Sequence, residues 1–441
     1  MRLFKLTLVL LFLASPAWAQ ADFCVRDGSF QTGIGTTNLA VTFAGSPNCA
    51  PKAVILTASA STSGTTADLS MTIGWAASAS SRRATWNGCF DAADPSYCKN
   101  WPTESRVLVV QRGNPAVMVV ELDIVSFDAN GFTVDPIIAS AADIAVNYFA
   151  VGGSQITAET VSLIQPAAKR DLESTALTFQ PDFLLAVLSH SPTLDSLAGA
   201  YKFNIGFTDG VNAALYGSFA GENEATSATQ TYVRAAAAQK DIVAAQVVGG
   251  VSQRDSFLGF LTKGFNLTVT EYSGTLPYVF FLAIRGGRWR VGPFTAPATT
   301  GNFDVTGSDA WTPQGLFAVL GRGTAQSTVD TPDTTGTQFS IGSAISSTSR
   351  VSAGAAGNTA DAANASYANT SSATRLWSVM DGDGSTLLTD GDFVSFLTGG
   401  WRANVVSASA THRFGIYFTV APNAPLTSPV PVGKFTGKVA P

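Results

Sequence analysis

Phe127-Asp128-Ala129-Asn130-Gly131-Phe132 returns as Phe260-Leu261-Thr262-Lys263-Gly264-Phe265 and again as Phe396-Leu397-Thr398-Gly399-Gly400-Trp401. An aromatic, a turn segment ending in glycine and a second aromatic thus recur at offsets of 133 and then 136 residues. Upstream of each copy lies an apolar run with an Ile-Gly pair: Ile73-Gly74, Ile205-Gly206 and Ile341-Gly342. Earlier still, Pro51, Pro181 and Pro313 each introduce another short run. Downstream, Tyr148-Phe149-Ala150-Val151, Phe281-Leu282-Ala283-Ile284 and Tyr417-Phe418-Thr419-Val420 close the copies. Anchors kept in one order at near-constant spacing define three tandem units of about 130 residues.

Within a unit, short apolar runs follow one another across turn chemistry without helical alternation. The class this predicts is all-β: three tandem antiparallel β-sandwich repeats, jelly-roll-like in outline. The glycine closing each turn segment is expected to supply a positive φ at the last hairpin position. One segment conflicts with the pattern. Arg234 to Gln239 carries four alanines and reads locally as helix. Aligned with Arg106 to Val110 and Arg375 to Val379, it is assigned to a strand, with Lys240-Asp241 as the turn that follows.

Of the 441 residues 46% are apolar and only 13% charged, which excludes a disordered chain and a coiled coil. Arg2 and Lys5, the apolar run Leu6 to Leu13 and Ala17-Trp18-Ala19 have the layout of a secretory leader. The expected organisation is a leader over 1–19, then units over 20–155, 156–292 and 293–441. The last unit includes a C-terminal strand or tail, since Val291 to Thr295 is echoed by Val432 to Thr436. Losing the leader takes the formal charge from −5 to −7, which argues against nucleic acid as a partner. The longest later apolar run, Tyr278 to Ile284, is too short to span a bilayer. Export to a periplasmic or extracellular space is the expected localisation.

Cys24, Cys49, Cys89 and Cys98 all fall in the first hundred residues. In an exported chain an even count points to disulfides. Three pairings are open, and local spacing favours Cys24–Cys49 with Cys89–Cys98. Zinc ligation lacks both CxxC spacing and a nearby histidine, and no cofactor is implied.

Catalytic residues are few. His190 and His412 occupy non-equivalent positions, and no nucleophile elbow, P-loop or dinucleotide fingerprint is present. Glu222 and Glu224, alternate residues of a Gly/Ser-rich stretch, are the acids a glycoside hydrolase could use. Asp381, Asp383, Ser385 and Asp392 have the spacing of a calcium loop, but Thr386 replaces its glycine. The stronger candidate for binding is the connection after each Ile-Gly strand, where the units diverge: 86–101, 217–231 and 352–374. In the first, Trp86, Asn87, Phe90, Asp91, Tyr97 and Trp101 combine aromatic faces with polar neighbours, which suits sugar rings. The competing reading is that the tryptophans cover a sheet edge.

The units resemble H-type lectin domains, six-stranded β-sandwiches. The matching features are Phe43 with Pro51 to Ile55, then Gly131-Phe132-Thr133-Val134, then Tyr148 to Gly152. Phe179 to Leu185, Gly264-Phe265 and Phe281 to Ile284 repeat them, whereas Thr419 and Val420 depart from the pattern. The chain is also similar to bacterial and phage proteins that repeat such units. The resemblance implies sandwiches that assemble as trimers and bind sugars such as N-acetylgalactosamine; it designates no binding residue here. The leading expectation is an exported, non-enzymatic protein that recognises glycans or cell surfaces through loops at one end. The alternatives are a structural repeat of an envelope, appendage or virion, and a glycoside hydrolase. Short connections further predict a compact pseudo-threefold monomer in preference to a rod.

Overall fold

The structure, a computed structural model, describes residues 21–424 except 34, 36, 60–67, 91–96, 113–116, 140–143, 190, 200, 221–239, 248–249, 273–275, 324–336, 359–365 and 382–385. The leader, the strand assigned to 234–239 and the echo at 432–436 lie outside the described residues. Every regular element described is a β-strand.

The first unit comprises β1 (Cys24–Gln31), β2 (Leu39–Thr42), β3 (Pro51–Ser59), β4 (Asp68–Ser78), β5 (Ser81–Phe90), β6 (Tyr97–Thr103), β7 (Leu108–Arg112), β8 (Val117–Asp128), β9 (Gly131–Ile138) and β10 (Ala145–Gly152). The second comprises β11 (Thr157–Ile164), β12 (Arg170–Ser174), β13 (Phe183–Leu188), β14 (Ala198–Gly199), β15 (Tyr201–Thr208), β16 (Ala213–Ala220), β17 (Asp241–Val247), β18 (Gly250–Leu261), β19 (Gly264–Glu271) and β20 (Tyr278–Arg285). The third comprises β21 (Arg288–Thr295), β22 (Gly301–Thr306), β23 (Gly315–Gly321), β24 (Thr337–Ser346), β25 (Ser349–Asn358), β26 (Ser366–Ser372), β27 (Trp377–Met380), β28 (Leu387–Leu397), β29 (Gly400–Ser407) and β30 (Phe414–Ala421).

Each unit is a two-sheet antiparallel sandwich. In the first, an inner sheet β1-β10-β3-β4-β5-β6 lies over an outer sheet β2-β9-β8-β7. The second repeats this as β11-β20-β13-β15-β16 over β12-β19-β18-β17, the third as β21-β30-β23-β24-β25-β26 over β22-β29-β28-β27. Strand β14 leaves its own unit and pairs with β6 of the first. Strand β21 pairs along its whole length with β30. The third unit therefore opens at Arg288, and a boundary between 292 and 293 cuts through a strand.

Period-two alternation explains why the closing strands read as unbroken apolar runs. In β10, Val146, Tyr148 and Ala150 enter the first sandwich while Phe149 and Val151 point the other way. Phe280, Leu282 and Ile284 of β20, and Ile416, Phe418 and Val420 of β30, do the same. These second faces meet in one core shared by all three units. Phe317 stacks on Phe418 at 5.2 Å, while Phe149 and Phe207 meet Phe418 edge-on at 5.6 and 5.0 Å. A fully buried Phe or Leu contributes roughly 1.5–3 kcal/mol, and here each needs all three units. The arrangement is the compact one, not a rod.

The contacts between units repeat around the body. Pairing with Phe149, Leu282 and Phe418 makes Asp27, Thr160 and Val291 equivalent. A hairpin from the preceding unit meets each of them. Ser81 and Thr160 hydroxyls lie 2.8 Å apart, the Val291 N–H donates to Asp209 at 3.0 Å, and Ser349 donates to Asp27. First holds second, second holds third, and third returns to first.

Glycines mark where the two sheets of a unit come closest. A Cβ at Gly74, Gly206 or Gly342 would stand 1.9, 1.9 or 1.8 Å from the carbonyl oxygen of Val107, Ile242 or Leu376. This places Arg106, Asp241 and Arg375 in register, so β17 begins at Asp241 and Lys240-Asp241 is no turn within the strand pair. The alignment of Arg234 with Arg106 is thereby corrected by seven residues: alanine composition could not fix a register that the glycine contact does.

Candidate functional site

The segment 86–101 is a hairpin more than a loop. Strands β5 and β6 occupy all of it except 91–96, and Trp86 pairs with Trp101 across them. Trp86 is fully buried and donates from Nε1 to Ser70 Oγ at 2.8 Å. Its indole lies over Gly88, where a Cβ would come within 2.2 Å of the ring. Val109 packs against it, with half-buried Trp101 and Leu197 of the second unit alongside. The Asp195 N–H donates to the Pro102 carbonyl at 2.9 Å, which draws the 191–199 segment over this hairpin. Asn87 is also buried, on the face shared with Cys89 and Cys98.

Trp86 and Asn87 therefore present nothing to solvent, which corrects their expected role. Trp101 is covered in part by Leu197, close to the edge-covering reading. Phe90 and Tyr97 pair at the hairpin end; their side chains and Asp91 lie outside the described residues. Both disulfides have the local pairing, Cys24–Cys49 and Cys89–Cys98.

Of the four residues with calcium-loop spacing, Asp381 and Asp392 are described. Asp392 accepts hydrogen bonds from Arg350 at 3.3 Å and Arg375 at 3.0 Å. Asp381 accepts the Thr386 N–H at 3.1 Å, the closure of a hairpin. Asp383 and Ser385 lie outside the described residues, as do His190, Glu222 and Glu224. His412 is buried, with Nε2 2.6 Å from Gln338 Oε1 and Nδ1 3.1 Å from Ser409 Oγ. Among the described residues no three His, Cys, Asp or Glu side chains are placed to hold a metal ion. Nor is any helix there long and apolar enough to cross a membrane.

The body has two unlike ends. At one, the linkers converge: the Gln155 N–H donates to Asp22, the Asn423 N–H to Gln155, and Gly286 packs on the Gln155 carbonyl. At the other, strands flanking the divergent connections meet. Ser59 and the Ser70 N–H donate to Thr370 and Asn369, each at 2.9 Å, while Phe203 stacks on Phe339 at 4.8 Å. The connections at 91–96 and 359–365, and the longer one beyond β16, leave from this end.

Two buried carboxyls stand out electrostatically. Burial pushes Asp27 up to about 6 against the hydrogen bond from Ser349. Burial likewise lifts Asp255 to about 7, although Gln253 and Gln165 both donate to it. Asp27 lies between the third and first units, the pair with no direct chain connection. Sequence reading missed it because its equivalents, Thr160 and Val291, carry no charge.

No protein-family model matches the chain, and neither does any curated protein or solved structure.

Proposed function

We propose that this is an exported, non-enzymatic binding protein that attaches to glycans or cell surfaces through the divergent connections at one end. The observation that supports this is the polarity of the body: linkers at one end, the flanks of all three connections at the other. A shared core makes a rigid platform, and variable loops on rigid sandwiches are a common seat of recognition. Three weak sites held together gain avidity without any one strong contact.

The test is retention of the chain lacking its leader on a glycan array and on intact cells. It is run beside a variant in which 91–96, 221–231 and 359–365 are each replaced by a short Asn-Gly turn. Saturable retention lost in the variant is the expected result. Ordered assembly without retention would establish the spacer role instead. Sugar hydrolysis abolished by Glu222→Gln or Glu224→Gln would make the chain a glycosidase.

A further inference from the structure

Between the second and third units lies a cleft of about 490 Å³ that the loop end does not include. That volume falls in the range of small-molecule sites. Its walls are the 209–212 turn, the first half of β21, and residues 305–309 with Tyr417.

Trp289 lines it with a fixed ring. Phe183 stacks on the indole at 4.2 Å and 16°, and Nε1 donates to the Gly286 carbonyl at 2.7 Å. Phe183 is not part of the cleft wall, so the indole surface left to the cleft is the one Phe183 does not cover. The turn is equally fixed. Asp209 accepts from the Val211 and Asn212 N–H groups at 2.9 and 2.6 Å, and from Asn212 Nδ2 and the Val291 N–H, both at 3.0 Å. Arg290 donates to Asp309 and to the Gly399 carbonyl, at 3.0 and 2.7 Å.

With Arg290 paired and Asp209 saturated, the cleft has no spare cation for an anionic ligand. What it offers is an aromatic surface, the Asn212 amide oxygen, the Thr306 hydroxyl and the second oxygen of Asp309. A ring with an apolar C–H face and hydroxyls at its edge matches that set.

The other two contacts between units show that the frame does not require these features. Ala158 and Val25 stand where Trp289 does. The corresponding turns have two residues, 79–80 and 347–348, instead of four. We propose that the Trp289 cleft is a second, saccharide-binding site, taking a neutral hexose ring at the end opposite the divergent connections.

Titration of the ¹⁵N-labelled chain with glucose, galactose, mannose, N-acetylglucosamine and N-acetylgalactosamine tests this. The Trp289 indole N–H is assigned by its loss in Trp289→Phe. A saturable shift of that signal with at least one sugar is expected. Asn212→Ala and Thr306→Val, both exposed, should each weaken binding about fivefold or more; Thr306→Val should melt like the parent chain, whereas Asn212→Ala also loses the hydrogen bond to Asp209. No saturable shift with any of the five sugars would overturn the proposal, as would unchanged affinity in both variants. Shortening the divergent connections should leave this shift intact, so failure of the loop-end reading and failure of this one are separable.

Discussion

Asp27 shows how one residue can make the closure of the whole body sensitive to pH. Its carboxyl is buried between β1 and the third unit, held by one hydroxyl donor, with Oδ2 left without a hydrogen-bond partner. Because its folded pKa lies above the ordinary 3.8, the native state binds more protons than the unfolded chain. Its full contribution is present below about pH 4, and stability falls as pH rises through about 6, by roughly 3 kcal/mol in all. Melting temperature measured from pH 4 to 8 should therefore decline more steeply in the parent chain than in Asp27→Asn. Parallel curves would show that Asp27 does not titrate in this range. Asp255 should leave a residual decline in both that continues to about pH 7.

At the scale of elements, the repeat is enforced by backbone contact as much as by apolar pattern. Ala in place of Gly74, Gly206 or Gly342 would drive a methyl into a facing carbonyl, costing roughly 2–3 kcal/mol. Gly259 has open space around it, so Gly259→Ala should change stability by less than about 0.5 kcal/mol. Urea unfolding of the four variants separates contact from composition.

The ion pairs between neighbouring outer-sheet strands carry a second regularity. Arg106 pairs with Glu121 and Arg375 with Asp390, whereas the second unit inverts the charges as Asp241 and Arg254, 3.8 Å apart. Glu121→Arg alone should then destabilise by about 1–2 kcal/mol, and Arg106→Asp added to it should restore most of that. A double-mutant cycle with no recovery would refute the equivalence.

These elements also mark how far the sequence was legible. The Ile-Gly pairs and the Phe-to-Gly turn segments were visible because packing demands them in every unit. The turn glycines were seen for an incomplete reason. A Cβ at Gly131, Gly264 or Gly400 would stand within 1.6–2.0 Å of the carbonyl oxygen of Val41, Ser174 or Val305. A contact of that kind leaves no mark in local propensity. The inverted Asp241–Arg254 pair was hidden by the alanine-rich segment before it, which drew the alignment seven residues off.

For the molecule as a whole, three sandwiches wrapped round one core should behave as a single cooperative unit. The strands feeding that core were readable from their unbroken apolar runs, and the short linkers pointed to compactness. Which residues touch across units was not readable, since Leu197 on the Trp86 hairpin and Asp209 on Val291 join positions about 80 to 110 apart in sequence. The burial of Trp86 and Asn87 was hidden for the same reason: nothing near Trp86 in sequence announces that the second unit lies over Trp101.

Reduction of the Cys24–Cys49 bridge, which spans 25 residues, should lower stability by about 3 kcal/mol. Through the shared core that loss should lower the melting temperature of the whole chain, and a separate first-unit transition would contradict it. The central claim, that three units close into one body, is tested most directly by the radius of gyration of the chain without its leader in solution. A single compact body of this length should give about 22 Å by small-angle scattering. A value above about 30 Å, as for three such domains in line, would contradict the closed arrangement and the shared core with it.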